Sequence, residues 1–378
     1  MKSRMLLIVV AALAVAALFT AQAVSAHGRP GSGNAVFVQT NELDGNNVVA
    51  FERSADGLLT RAGSYATGGN GGNAAPGTES DRLASQGSLV YDGEHGLLFA
   101  VNAGSDSVSV FKVKGSSLKL ADVVASGGDF PASVAVHEDL VYVLNAGGVG
   151  IVQGFEIRGH HLRTLEGSAR SLGLANTVPP NFLTSPGQVG FTPDGRKLIV
   201  TTKASRSTID IYRVRRDGRL SQDAVQNASA TPVPFAFTFD PFDRLVSGEA
   251  GASSVTTYDI RRDRTIANPQ SQSDGQTALC WIVKAGDFYY VSNTGSNNVS
   301  GYRVDAGGKP TLIGPTGIVA TTEPGPIDMT TAAGGGFLYV QTGSTGTVDQ
   351  FRVNGDGSLT KLGVVTGLPA GQEGIASN

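Results

Sequence analysis

The sequence predicts an all-β fold, a seven-bladed β-propeller whose C-terminal strand closes the first blade. Three observations predict it. First, an entry pattern, a small or polar triplet running into an apolar strand, recurs seven times. It reads Gln86-Gly-Ser-Leu-Val-Tyr91, Pro131-Ala-Ser-Val-Ala-Val136, Pro186-Gly-Gln-Val-Gly-Phe191, Pro234-Phe-Ala-Phe-Thr-Phe239, Ala278-Leu-Cys-Trp-Ile-Val283, Pro326-Ile-Asp-Met-Thr-Thr331 and Gln372-Glu-Gly-Ile-Ala-Ser377. Second, each unit continues with a regular strand, corner and strand, so that Phe99 through Phe111 matches Tyr290 through Tyr302. Third, equivalent corners lie 43 residues apart from Asn102 to Asn145 and 44 apart from Glu249 to Asn293. That spacing fits the ~40–50 residues of a four-stranded blade. The N-terminal unit lacks an entry and the last entry lacks a unit, so the chain end is expected to complete the first sheet.

In chain order, Met-Lys-Ser-Arg followed by an apolar Leu6–Ala23 and Val24-Ser25-Ala26 reads as a signal peptide over residues 1–26. Residues 27–34 follow as a flexible polar lead-in, and 35–378 as one propeller domain. The expected location is secreted, periplasmic or cell-envelope, with no membrane contact after cleavage. The first unit starts at Phe37-Val-Gln-Thr-Asn-Glu42 and has an outer hairpin at Asp56-Gly57. Asp217-Gly218 and Asp356-Gly357 are the same kind of hairpin turn, because Asp-Gly accepts positive φ. Two units carry insertions ahead of an inner strand, 67–86 and 167–185. Both are expected over the end of the ring where inner strands begin. The first reads equally as a loose glycine loop or a functional one; the second, with Phe182 and Leu183 to bury, reads as an ordered lid.

Composition excludes several classes. There are 51 Gly in 378 residues, but they punctuate apolar strands, so neither a collagen nor a disordered chain is implied. Net charge is −3 with no basic stripe, which argues against nucleic acid as a partner. One cysteine, Cys280, excludes an internal disulfide and reads as a buried structural thiol. The five histidines, His27, His95, His137, His160 and His161, form no ligand pattern, so no histidine-based metal site is expected, while an oxygen-held metal in the channel stays open. No Gly-x-Ser-x-Gly elbow is present for a serine hydrolase.

The stretches Gln188-Val-Gly-Phe-Thr-Pro-Asp-Gly195 and Asn145-Ala-Gly-Gly148 resemble the signatures of lactonase-type propellers. That family is similar to both bacterial 6-phosphogluconolactonase and fungal carboxymuconate-lactonising enzyme. The resemblance runs over the whole chain after residue 26 and implies a ligand site at one mouth of the central channel. It also implies a histidine, an arginine and a glutamate. Aligned on these motifs, Gly187 stands where the histidine would be and Phe235 where the arginine would be, while Glu249 matches the acid. Lys203 stands in place of an aspartate usual in the fourth blade.

The third entry positions supply a second set of candidates: Ser88, Ser133, Gln188, Ala236, Cys280, Asp328 and Gly374. If these face the channel, the lining is small and polar with one carboxylate. On this reading Glu249 and Asp328 are the catalytic acid–base candidates, and Gln188, Glu373, Ser133 and Ser88 bind the ligand. The expected partner is a small polar molecule or lactone met by a monomer, and the sequence names no cofactor. Two functions follow, a lactone hydrolase or cycloisomerase and a non-catalytic binding propeller.

Overall fold

The computed structural model describes residues 33–75 and 80–378. The expected leader over 1–26, most of the lead-in and His27 lie outside the described residues. Seven antiparallel sheets, each built from four main strands, follow one another around a ring, and two of them carry an extra short strand. The innermost strands are Leu89–Asp92, Pro131–His137, Gln188–Phe191, Pro234–Phe239, Leu279–Ala285 and Pro326–Ala332 for blades two to seven. The first blade takes its innermost strand from Ile375–Ser377, which pairs antiparallel with Ala35–Gln39. Each innermost strand touches the next, and Ile375–Ser377 touches both Pro326–Ala332 and Leu89–Asp92. The ring is therefore closed as the repeat offset predicts.

Period-2 alternation explains why blades stack. The second strands, such as Leu97–Asn102 and Phe288–Asn293, are buried along their entire length, because both faces of a blade meet a neighbour. Aromatic residues fill these inter-blade layers, with Phe37, Phe99, Tyr142, Tyr290 and Trp281 fully buried. The polar corner that ends each second strand fastens its own turn. Asn102 Nδ2 donates to Ser107 and Ser109 hydroxyls, and Asn293 Nδ2 donates to Asn298 and Ser300.

The Asp-Gly turns have a further use between blades. The Tyr142, Tyr290 and Tyr339 hydroxyls donate to the carbonyls of Gly218, Gly357 and Gly57 at 2.9, 2.9 and 2.7 Å. Each links the second strand of one blade to the outer hairpin of the next, and Tyr339–Gly57 joins blade seven to blade one. Gly57 has φ 96°, and a Cβ there would lie 2.3 Å from the Phe337 ring, so the turn needs glycine twice over.

Candidate functional site

Both insertions lie over the mouth of the ring where inner strands begin, and they are joined to each other. Ala75 N–H donates to the Pro180 carbonyl and Phe182 N–H to the Ala75 carbonyl. The end of the first insertion crosses the ring and plugs it. Gln86 N–H donates to Gly187 O of blade four, and its side chain pairs with both backbone groups of Ile282 in blade six. The Ser85 hydroxyl donates to Ala132 O in blade three, while Trp281 Nε1 donates to Ser85 O. The described residues of 67–86 are thus tied to the ring by hydrogen bonds and are not a loose loop. In the second insertion Phe182 packs on the core, whereas Leu183 stays 47% exposed instead of being buried.

This plug changes what the channel-facing residues can do. The Ser133 hydroxyl donates to Gln86 O, and Gln188 Oε1 accepts the Phe237 N–H at 2.7 Å. Ser88 is fully buried. None of the three lines the pocket described below. Glu249 is also fully buried, at the corner position that asparagine holds in blades two, three and six. Its carboxylate accepts hydrogen bonds from Thr231 N–H at 3.0 Å, the Thr256 hydroxyl at 2.8 Å, and the Thr231 and Tyr258 hydroxyls. Burial raises its pKa against the pull of these donors. The adjacent Ala250 and Gly251 reach the pocket; the Glu249 side chain is not in its lining.

Beside the plug lies a pocket of about 260 Å³ whose polar lining groups are Asp81, Lys203 and Cys280. Lys203 is 1% exposed and sits in a left-handed turn at φ 44°. Its ammonium donates to Ala84 O at 2.6 Å and to Phe182 O, and stands 5.0 Å above the centre of the Phe235 ring. Burial lowers its pKa to about 8, with Asp81, Cys280 and Glu373 opposing the shift. Burial likewise raises Asp81 to about 6, while Lys203 and a hydrogen bond with Glu373 pull it back. Burial pushes the Cys280 thiol well above its usual range, so it stays protonated and is a weak nucleophile.

Two of the sequence-predicted residues belong to this cluster. Glu373, completely buried, accepts Leu83 N–H at 2.6 Å and Ser85 N–H at 3.3 Å. Burial and the nearby Asp81 charge raise its pKa well above the ordinary value. A hydrogen bond between two carboxyl groups needs one proton, and Glu373, the more deeply buried, is the one that keeps it. Asp328 follows in the same sense. Burial raises it to about 7 against the N–H groups of Met329 and Ile375, and the Asp81 charge adds to the shift. A protonated Glu373 thus backs an ionised Asp81 that shares the pocket with a cationic Lys203.

Sequence reasoning did not find Asp81, which belongs to the insertion and not to the repeat. The available signal was position, since the insertion runs straight into an inner strand. Gly187 and Phe235 are both at this mouth. A Cβ on Gly187 would lie 2.4 Å from Phe235 O, so this backbone admits no side chain there, while the Phe235 ring forms a pocket wall. Among the described residues, no group of three or more His, Cys, Asp or Glu is arranged to hold a metal ion. Among the same residues no helix is long and apolar enough to cross a membrane.

The fold and site together define a seven-bladed β-propeller with one polar-floored pocket at a plugged mouth. The family model "Lactonase, 7-bladed beta-propeller" matches residues 263–372. Solved structures with the same architecture include a candidate 6-phosphogluconolactonase from Bacteroides uniformis, at TM-score 0.72 and 16% identity. The alignment covers 91% of this chain and 99% of that one. A Lactobacillus plantarum protein matches at TM-score 0.70 and 18% identity, covering 91% and 98%. The Pseudomonas aeruginosa periplasmic gluconolactonase matches at TM-score 0.68 and 16% identity, again covering 91% and 98%. No curated protein matches the chain. The family match over residues 263–372 agrees with the lactonase-type resemblance of the motifs, and the solved structures share the seven-bladed fold.

Proposed function

We propose that this propeller hydrolyses a lactone in the pocket at its plugged mouth, with Asp81 as general base and Lys203 as the oxyanion-stabilising cation. The observation that carries the reading is the placement of an ionised carboxylate and a buried ammonium on one small cavity. Perturbed titrations of this kind concentrate at functional sites. Asp81 takes a proton from water as the oxygen attacks the lactone carbonyl, and Lys203 stabilises the negative charge that develops. The ring C–O bond then breaks, and the proton held by Asp81 passes to the departing alkoxide. The net change is lactone plus water to hydroxy acid. Glu373, kept protonated, orients Asp81, and Asp328 lies behind the pair as a neutral acid. Export through a leader over residues 1–26 and action as a monomer on a small molecule belong to the same reading.

The non-catalytic alternative draws support from Gly187 and Phe235 at the positions where the family pattern has histidine and arginine. Turnover distinguishes the two. Asp81→Asn and Lys203→Met are each expected to lower kcat/KM by about 10²–10³. The wild-type profile is expected to be bell-shaped, rising near pH 6 as Asp81 ionises and falling near pH 8 as Lys203 loses its proton. Full activity in both variants, or a flat profile from pH 5 to 9, would remove these residues from the chemistry.

A further inference from the structure

Beyond its polar floor, the pocket is walled by Phe182, Leu183, Val233, Phe235, Ala250 and Ala278. Two of these walls stand on unfavourable backbone. Val233 has φ 63° and Ala278 has φ 58°, in the left-handed region that a β-branched residue seldom enters. Each immediately precedes an inner strand. At the place before the entry proline, blade seven uses Gly325 at φ 74°, which meets the turn without strain, while blade three keeps Phe130 at φ 58°. Blade five therefore keeps a valine where the backbone alone would favour glycine, and that valine lines the cavity. In blade three the strained Phe130 is packed in the core, whereas in blade five the strained Val233 is a pocket wall, and that placement is what makes its side chain a candidate for ligand contact.

The charges point the same way. Among the described residues Lys203 is the only cation lining the pocket, and its ammonium already serves two carbonyls and faces Asp81. One N–H of that ammonium remains for the oxyanion, and the lining supplies no second cation for a phosphate or carboxylate on the ligand. The cavity is also slightly smaller than the roughly 300–1,000 Å³ of sites for drug-sized ligands.

From these features we infer that the pocket takes a compact, uncharged, apolar-ringed lactone, with Val233 and Phe235 setting the preference against phosphorylated sugar-acid lactones. The inference rests on the lactonase reading for its reaction but not for its ligand class. The test pairs kinetics with calorimetry. An alkyl δ-lactone is expected to be the better substrate than a phosphorylated aldonolactone by at least tenfold in kcat/KM. Cyclohexanone, a neutral ring that cannot be hydrolysed, is expected to bind wild type. Val233→Gly is expected to weaken that binding about tenfold, the effect of removing one apolar wall. Because glycine relieves the strain, its melting temperature should be unchanged or higher; if Val233→Gly fails to fold, Ala278→Gly enters the same measurements. Preference for the phosphorylated lactone, or cyclohexanone binding indifferent to both variants, overturns the inference. Valine-dependent cyclohexanone binding without turnover of any lactone would sink the hydrolase reading and leave the ligand class standing.

Discussion

Burial at the centre of the ring decides the charge of Asp328. Its folded pKa, about 7, lies above the ordinary 3.8, so between those values the folded chain holds a proton that the unfolded chain releases. Stability contributed by this group is complete below pH 4 and lost as pH rises through 7, at about 1.4 kcal/mol per pH unit. Glu373 shifts in the same direction and adds to the slope. Lys203 acts at higher pH: its folded value of about 8 lies below 10.5, so its contribution returns as pH climbs from 8 to 10.5. Unfolding in urea should therefore give a lower free energy at pH 7.5 than at pH 5, and Asp328→Asn should reduce that difference, leaving the share of Glu373 and Asp81. An unchanged slope in the variant would mean that Asp328 is ionised in the folded protein. Glu249 teaches a related lesson, since a carboxylate at a repeat corner can be held by threonine and tyrosine hydroxyls as its asparagine counterparts are held by serine.

At the scale of the element, the outer hairpins are fastened by tyrosine from the preceding blade. The Tyr339 hydroxyl reaches Gly57 O across the blade seven to blade one boundary, and both ends are protected from solvent. Tyr339→Phe leaves the Gly57 carbonyl without that donor, and a loss of about 1–2 kcal/mol is expected by urea unfolding. Tyr142→Phe and Tyr290→Phe should cost a similar amount, because Gly218 and Gly357 receive the same bond. Three variants as stable as wild type would show that water replaces the hydroxyl at these turns. The sequence announced the turns through Asp-Gly but not their partners, which lie 76 and 67 residues away for Tyr142 and Tyr290.

The whole molecule depends on closure. Ile375–Ser377 fills the innermost place in the first blade, and the Asn378 side chain both accepts from Ala35 N–H and donates to Gly115 O. Deleting residues 370–378 would uncover the Val36–Val38 edge and also remove Glu373 from beneath Asp81. Loss of soluble protein is the expected outcome, measured as the soluble fraction after expression. A truncated chain with an unchanged melting temperature would refute closure by this strand.

The repeat by itself determined the number of blades, the order of strands within each and the offset that closes the ring. Local periodicity and turn chemistry suffice for these, because every blade solves the same packing problem with the same short pattern. It also drew attention to Asp328 and Glu373, since their places in the entry triplets recur in every unit. The pocket was a different matter. Asp81 lies in an insertion outside the repeat, and only folding of 67–86 across the ring brings it to Lys203, Cys280 and Phe235. Tertiary structure alone decided that Gln188, Ser133 and Glu249 spend their hydrogen bonds within the scaffold. The physical reason is that a buried polar group takes whichever partner the packed neighbours present, and those neighbours come from blades far apart in the chain.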